Sequence, residues 1–353
     1  PRGFAAVQVS PPMEHAQGSS WWVRYQPVTY NLTSRSGDRA AFASMVARCR
    51  AAGVAVYADA VLNHCARGSG VGVAGSAYSG RTFPLYGPGD FHHARDDILS
   101  NCVVHNYTDK HEVQFCDLLG LPDLCTECAR VQDTLAAYLS DLAGLGVAGI
   151  RLDAAKHQDP WQLRRVLDKV DGHLYRFSEV IDHDGEGVSP LEYTPFSQVT
   201  EFKYGEGVDD AFRASSLMNG LNRFGEAWNF VPAGDAVVFV DNHDTQRGDD
   251  PKQLTYKSGD LYTLAVAFML AHPYGYPQVM SSYRFADFDD GPPAEPVHGP
   301  GGKLRCGGGA PWVCEHRRPA IANMVPWRRA AGEAGVSAFV AGLDGSAALF
   351  CRG

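Results

Sequence analysis

The sequence has no apolar run that could cross a bilayer: its longest, around Leu264–Ala271, is far shorter than the ~20 residues a spanning helix needs. Basic charge is also short. With 31 Lys and Arg against 40 Asp and Glu, the net charge is -9, which argues against nucleic acid or an anionic membrane as partner and leaves neutral polymers open. There is no internal repeat, and nothing resembles the spacing of an EF-hand loop. The chain starts at Pro1 without Met or a signal-peptide pattern, so a processed or cut N-terminus is expected. What is present is 353 residues, 45% apolar and 20% charged. That composition fits a soluble globular protein with a large core. The length suits one large α/β barrel with an insertion, or two to three ordinary domains.

Nine cysteines are many for a reducing compartment and point to an oxidising one, with an odd thiol left over. Asn31 and Asn106 each begin an Asn-x-Thr sequon, which a secreted protein can glycosylate. A secreted, extracellular protein is the expectation.

Four short apolar runs end in polar tips: Val54–Val61 (then Leu62, Asn63, His64), Val147–Asp153, Leu174–Glu179 and Val237–Asp244. Each reads as a buried parallel strand. Further strands are expected at Phe4–Val9, Val199–Phe202 and Gln278–Ser281. Helices are expected over Asp38–Ala52, after Val131, across Trp161–Val170, Val208–Arg223 and Leu261–Leu270, and near Ile321–Arg329. Alternating strands and helices predict an α/β fold, a (β/α)8 barrel whose chemistry lies at the C-terminal strand ends. Between Ala66 and about Glu112 the periodicity collapses, so a small inserted domain with little hydrophobic core is expected there. Seven strands are counted where a closed barrel has eight.

The strand tips carry the chemistry. Arg151 and Asp153 are two apart on one strand and share a face. An Arg there keeps a carboxylate ionised and oriented, as a nucleophile requires, although a structural ion pair would look the same. Glu179 sits among apolar neighbours, which favours the neutral form and suits a proton donor. Asp244 supplies a third acid, flanked by His243, with His64 at an earlier tip. Three converging acids are what glycoside hydrolysis needs. Aromatic residues cluster over Ser19–Tyr30; adjacent Trp21 and Trp22 cannot both face a core, so one is expected to be exposed.

The segments DAVLNH, GIRLDAAKH, FSEVID and FVDNHD resemble the four signature segments of the α-amylase family, specifically its animal-type branch. The resemblance covers nearly the whole chain. It implies endo-hydrolysis of α-1,4 bonds in starch and glycogen by a retaining double displacement. Asp153 is then the nucleophile, Glu179 the acid/base and Asp244 the transition-state support, with Asp59 orienting Arg151. A related transglycosylase or exo-glucosidase, and a non-catalytic glucan-binding relative, are the alternatives.

The same resemblance implies a sugar-stacking platform of Trp21, Trp22 and Tyr25. Further substrate contacts are implied from Gln26, His64, Arg151, Lys156, His157, Ile181 and His243. It also implies one structural Ca²⁺ held by Asn63 and Asp123 side chains and by Gln114 and His157 carbonyls. Arg151 and Asn242 match two chloride ligands, but Gln278 replaces the second arginine of that site, so activity without chloride is expected. The run GDDPKQLTYK after Arg247 departs from the mobile loop of many animal relatives.

Family disulfides are implied at Cys102–Cys116 and Cys306–Cys314, and the partner implied for Cys49 lies upstream of Pro1. The Cys125-x-x-Cys128 pair has no counterpart in the family pattern; it admits a redox or zinc role, or a bridge to Cys65 or internally. The implied layout is a barrel over 1–64 and 131–330, an insertion over 65–130 and the start of a β-sandwich domain over 331–353. Read this way the chain is truncated at both ends, and a monomer is expected.

Overall fold

The computed structural model describes residues 2–93, 102–213, 220–248, 253–342 and 347–353. Parts of the expected insertion (94–101), of the 208–223 helix (214–219) and of the GDDPKQLTYK run (249–252) lie outside the described residues. The chain divides into two compact units, residues 5–199 and residues 200–353 with 1–4.

In the first unit, parallel strands lie in the order Ala6–Val9, Ala55–Val61, Gly149–Asp153, Tyr175–Ser178 and Gln198–Thr200. All five were expected, each with its ends moved by a few residues. Their register matters for the site. Asp59 pairs with Arg151 and Val61 with Asp153, while Leu152 pairs with Ser178. Side chains alternate along a strand, so Asp59, Arg151, Asp153 and Glu179 all project from one face. Gly149 is required by close approach: a Cβ there would lie 2.8 Å from the Tyr57 ring and 2.9 Å from the Tyr175 carbonyl.

Helices cover the sheet. Arg39–Ala51 is capped by Asp38, which accepts from the Ala41 N–H. Pro160–Asp168 is capped by Asp159, with Pro160 in the first turn, where its missing N–H costs nothing. Ala129–Gly144 buries Val131, Leu135, Leu139 and Leu142 at helical spacing.

The segment between Val61 and Ala129 holds a hairpin, Ser69–Val71 with Ala77–Ser79, and a helix, Lys110–Phe115. It is less bare than its composition suggests. Tyr78 stacks on Phe83 at 5.5 Å, Phe83 and Tyr86 meet Phe91, and Arg81 forms a buried ion pair with Asp117 at 2.9 Å. Spread-out aromatics supply a core that apolar periodicity does not reveal.

In the second unit, Ala236–Val238 runs parallel to Tyr276–Pro277. The latter lies two residues before the expected Gln278–Ser281. Gln278 donates its N–H to Val238, but Ser282 is drawn into a side-chain network described below. The helix expected from Val208 begins at Phe202. Gly205 and Gly207 lie inside it where it packs closely: a Cβ at Gly205 would meet the Val240 carbonyl at 2.7 Å. Asp260–Ala271 and Met324–Ala331 are helical, and Val336–Ala341 pairs antiparallel with Ala348–Arg352. Tyr204, Val208, Val238, Val266 and Met269 are the centre of this unit's core.

Disulfides join Cys102–Cys116, Cys306–Cys314 and Cys125–Cys128. The first two are the implied pairs, and the third settles the CxxC as an internal bridge. Among the described residues, Cys49, Cys65 and Cys351 are unpaired thiols, and no helix is long and apolar enough to cross a membrane.

Candidate active site

One guanidinium organises the first unit's strand tips. Arg151 Nη1 donates to both oxygens of Asp59, at 2.8 and 3.0 Å, and to Asp153 Oδ1 at 2.8 Å. Its Nη2 donates to Glu179 Oε1. All four side chains are buried. Tyr25 adds a hydroxyl donor to Asp59 at 2.9 Å. Burial pushes the Asp153 carboxyl well above the usual carboxylate range; Arg151 opposes that rise, and the charges of Glu179 and Asp59 reinforce it.

Glu179 differs from its expected setting. Apolar neighbours are present, but its oxygens meet two donors, Arg151 and the Ala154 N–H at 2.8 Å. The second donor comes from backbone geometry: Ala154 has φ +47°, a left-handed conformation uncommon for a residue with a Cβ, directly after Asp153. That turn aims its N–H back across the tip. Buried acids on a shared arginine beside a peptide N–H can serve as nucleophile and proton carrier to one substrate atom.

Around this cluster, Trp21–Tyr25 forms a 3₁₀ helix. Trp22 is exposed, and Trp21 packs edge-on against Tyr25 at 6.1 Å. Gln26 Oε1 accepts from the Arg67 N–H at 3.3 Å. His64 is buried, donates to the Tyr25 carbonyl at 2.8 Å, and is held neutral by burial, its pKa lowered to about 4. Lys156 is spoken for within the protein. Its amine donates to the Ile181 carbonyl at 2.7 Å and to Glu186 at 2.5 Å, and lies over the Tyr107 ring. The Glu186 contact spans 30 residues and no sequence pattern announces it.

The residues matched to calcium come together in pairs. The Leu124 N–H donates to the Asn63 carbonyl, which sets Asn63 beside Asp123. Asn63 Oδ1 and Asp123 Oδ1 are both buried and accept no hydrogen bond. His157 donates from Nδ1 to the Val113 carbonyl at 2.9 Å, next to Gln114, and its pKa is lowered by burial to about 4. Two orphaned buried oxygens are costly without a ligand and suit a hard cation.

In the second unit, His243 and Asp244 lie on a tight turn. Asn242 Oδ1 accepts from the Asp244 and Thr245 N–H groups at 2.9 and 2.8 Å. His243 Nε2 lies 3.3 Å from Asp244 Oδ2, and the Asp244 side chain is 38% exposed, against 9% for Asp153. Sequence reasoning missed what anchors this turn. Buried Asp241 accepts from Tyr262 and from Gln246, both at 2.8 Å, and Gln246 also donates to Ser282 Oγ at 2.5 Å. The Ser282 N–H donates to buried Glu315 at 2.8 Å. The signal available was Asp241 itself, an acid directly after the apolar run Ala236–Val240.

No protein-family model matches the chain. An α-amylase of Tribolium castaneum is 42% identical, covering 95% of this chain and 72% of that protein. One from Tenebrio molitor is 42% identical over 94% and 73%, and one from Aeromonas hydrophila is 47% identical over 93% and 72%. Among solved structures, α-amylase I of Eisenia fetida, as a variant in complex with maltohexaose, matches with TM-score 0.91 and 37% identity over 100% of this chain and 77% of that one. The wild-type enzyme matches with TM-score 0.89. These matches carry the (β/α)8-barrel fold to the chain. A cyclomaltodextrin glucanotransferase, at 18% identity and TM-score 0.60, shares the fold alone.

Proposed function

The chain belongs to the α-amylase family of glycoside hydrolases, and from that premise we propose that it cleaves internal α-1,4 bonds of starch and glycogen with retention of configuration. The observation that carries this reading is the Arg151 clamp, which holds Asp153 and Glu179 through its two terminal nitrogens. Asp153 attacks the anomeric carbon as the glycosidic C–O bond breaks, and Glu179 gives its proton to the departing oxygen. Water then attacks the same carbon, Glu179 takes the proton back, and the Asp153 ester is released. The reaction requires Asp153 ionised at the moment of attack, a state that Arg151 beside it favours, and a proton on Glu179 to give away. Asp244 and His243 hold sugar hydroxyls, with Trp21, Trp22, Tyr25, Gln26, His64, Lys156, His157 and Ile181 lining the remaining subsites.

A structural Ca²⁺ fits Asn63 and Asp123, whose orphaned oxygens support it, with carbonyls of Gln114 and His157 completing an all-oxygen set. Its role is to tie residues 65–130 to the barrel residues 1–64 and 131–330, ahead of a C-terminal β-domain beginning at 331. Chloride is not required. Arg151, one of the matched ligands beside Asn242, is already engaged by three carboxylates, and Gln278 brings no second charge. Three disulfides support a secreted, extracellular enzyme.

Hydrolysis of a blocked maltooligosaccharide, with products sized in chloride-free and chloride buffers at equal ionic strength, tests the reading. Short oligosaccharides of mixed length, at equal rates in both buffers, are expected. Glucose alone or elongated products would overturn the endo-hydrolase assignment, and several-fold activation by chloride would overturn the account of Gln278.

A further inference from the structure

The CxxC bridge is the feature that the glucan chemistry leaves unused. Cys125 and Cys128 close a short turn in which the Cys128 N–H donates to the Cys125 carbonyl at 2.9 Å, and Cys128 caps the Ala129–Gly144 helix. Two further groups face this turn. His92 Nε2 lies 2.8 Å from Glu127 Oε2, and a ring nitrogen of His92, a Glu127 oxygen and the Cys125 sulfur all lie within 4.8 Å of one another. On its other side, His92 donates from Nδ1 to Asp123 Oδ2 at 2.6 Å. A carboxylate on one ring nitrogen fixes tautomer and ring direction, which is how metal-binding histidines are held. Here it presents Nε2 toward the thiol turn.

We infer that Cys125, Cys128, His92 and Glu127 form a thiol-gated site for a zinc-class cation, closed to metal as the disulfide and open as the dithiol. Four ligands of S, S, N and O type suit tetrahedral Zn²⁺ and are a poor match to calcium, which takes oxygen alone. The 4.8 Å spread is that of His92, Cys125 and Glu127; Cys128 joins them once reduction frees its sulfur from Cys125 and the two sulfurs of the Cys-x-x-Cys turn separate to bind one ion.

The gate is a thiol–disulfide exchange. Two equivalents of an external thiol break the Cys125–Cys128 S–S bond; their sulfurs join as one disulfide, and both cysteines leave as thiols. Binding then sends both thiol protons to solvent, along with the Nε2 proton when His92 carries one. Nδ1–H stays on Asp123. Because Asp123 is also the residue with the orphaned Oδ1, cation capture at the turn bears on the carboxylate that orients the calcium-type pair. The inference does not depend on the glycosidase reading.

Cobalt is the probe. The full chain, kept in calcium and reduced with a phosphine, is titrated with Co²⁺, with circular dichroism checking that it remains folded. A thiolate-to-cobalt charge-transfer band and intense tetrahedral ligand-field bands, saturating at one ion per chain, are expected. Both should be absent before reduction and absent in the reduced Cys125→Ser/Cys128→Ser variant, which keeps the other seven cysteines. Zn²⁺ should abolish the bands by competition. As a second readout that needs no cobalt, Zn²⁺ should slow alkylation of Cys125 and Cys128 about tenfold or more in the wild type and far less in His92→Ala. Bands that persist in the double serine variant, a folded reduced chain that gives none, or alkylation indifferent to zinc would each overturn the site.

Discussion

Two clusters of buried acids, one in each unit, solve the same problem differently. Around Arg151, three carboxyls share one permanent cation. Around Asp241, the donors within hydrogen-bond reach are neutral: Tyr262 and Gln246, with Ser282 leading on to Glu315. Burial lifts Asp241 to about 7 and raises Glu315 as well. A cation keeps charge available at a strand tip for chemistry, whereas neutral donors hold an acid in place for architecture. The first cluster is the one to which the proposed mechanism assigns the reaction, and the second fixes the turn that carries Asp244.

The comparison breaks most violently at Arg151. Arg151→Met leaves three buried carboxyls without their cation and should cost about 3–5 kcal/mol of stability, read by urea unfolding. Glu179→Gln should do the reverse, leaving the fold in place and lowering turnover by about 10²–10⁴-fold in steady-state kinetics, since an amide cannot donate the proton. A normal unfolding curve for the first variant, or normal turnover for the second, would show that the clamp is not what joins structure to reaction here.

The Oδ1 atoms of Asn63 and Asp123 provide a third case, buried oxygens that accept from no donor. Verified chelation should lower the melting temperature and open residues 65–130 to protease. A ligand bound only by the folded state, at a hundredfold excess over its Kd, contributes about 2.7 kcal/mol. Unchanged melting would remove calcium from the account.

Asp241→Asn is the smallest effect and the sharpest contrast. An acid whose folded pKa is raised to about 7 binds a proton in the folded state that the unfolded chain, with an ordinary Asp near ~3.9, has released. Its contribution is therefore full below about pH 4 and is lost as pH rises toward 7. The asparagine variant should flatten that part of the melting-temperature profile; an unchanged slope would mean that Asp241 does not titrate there.

The sequence made the sheet and its acids legible because buried parallel strands are short, apolar and sharply ended, and the acids stand at the ends. Arg151 and Asp153 followed from a period of two, and Asp59 from the family resemblance. The aromatic core of the insertion was not legible, because Tyr78, Phe83, Tyr86 and Phe91 follow no period. The start of the helix at Phe202 was not legible, because Gly205 and Gly207 weaken helical propensity and serve close packing instead. The donors to Glu179 depend on a left-handed residue at Ala154, and no alanine advertises that conformation. Neither the Lys156–Glu186 pair nor the Ser282–Glu315 link could be read, since each joins residues about 30 positions apart with no shared pattern.

The central claim is that Asp153, held by Arg151, forms the covalent bond to sugar. A fluorinated maltosyl fluoride that slows release of the intermediate should label the wild-type chain, and protease digestion with mass spectrometry should place the sugar on Asp153. Asp153→Asn should take up no label. A label on Glu179 or Asp244, or turnover of the reagent with inversion and no labelled peptide, would contradict the account.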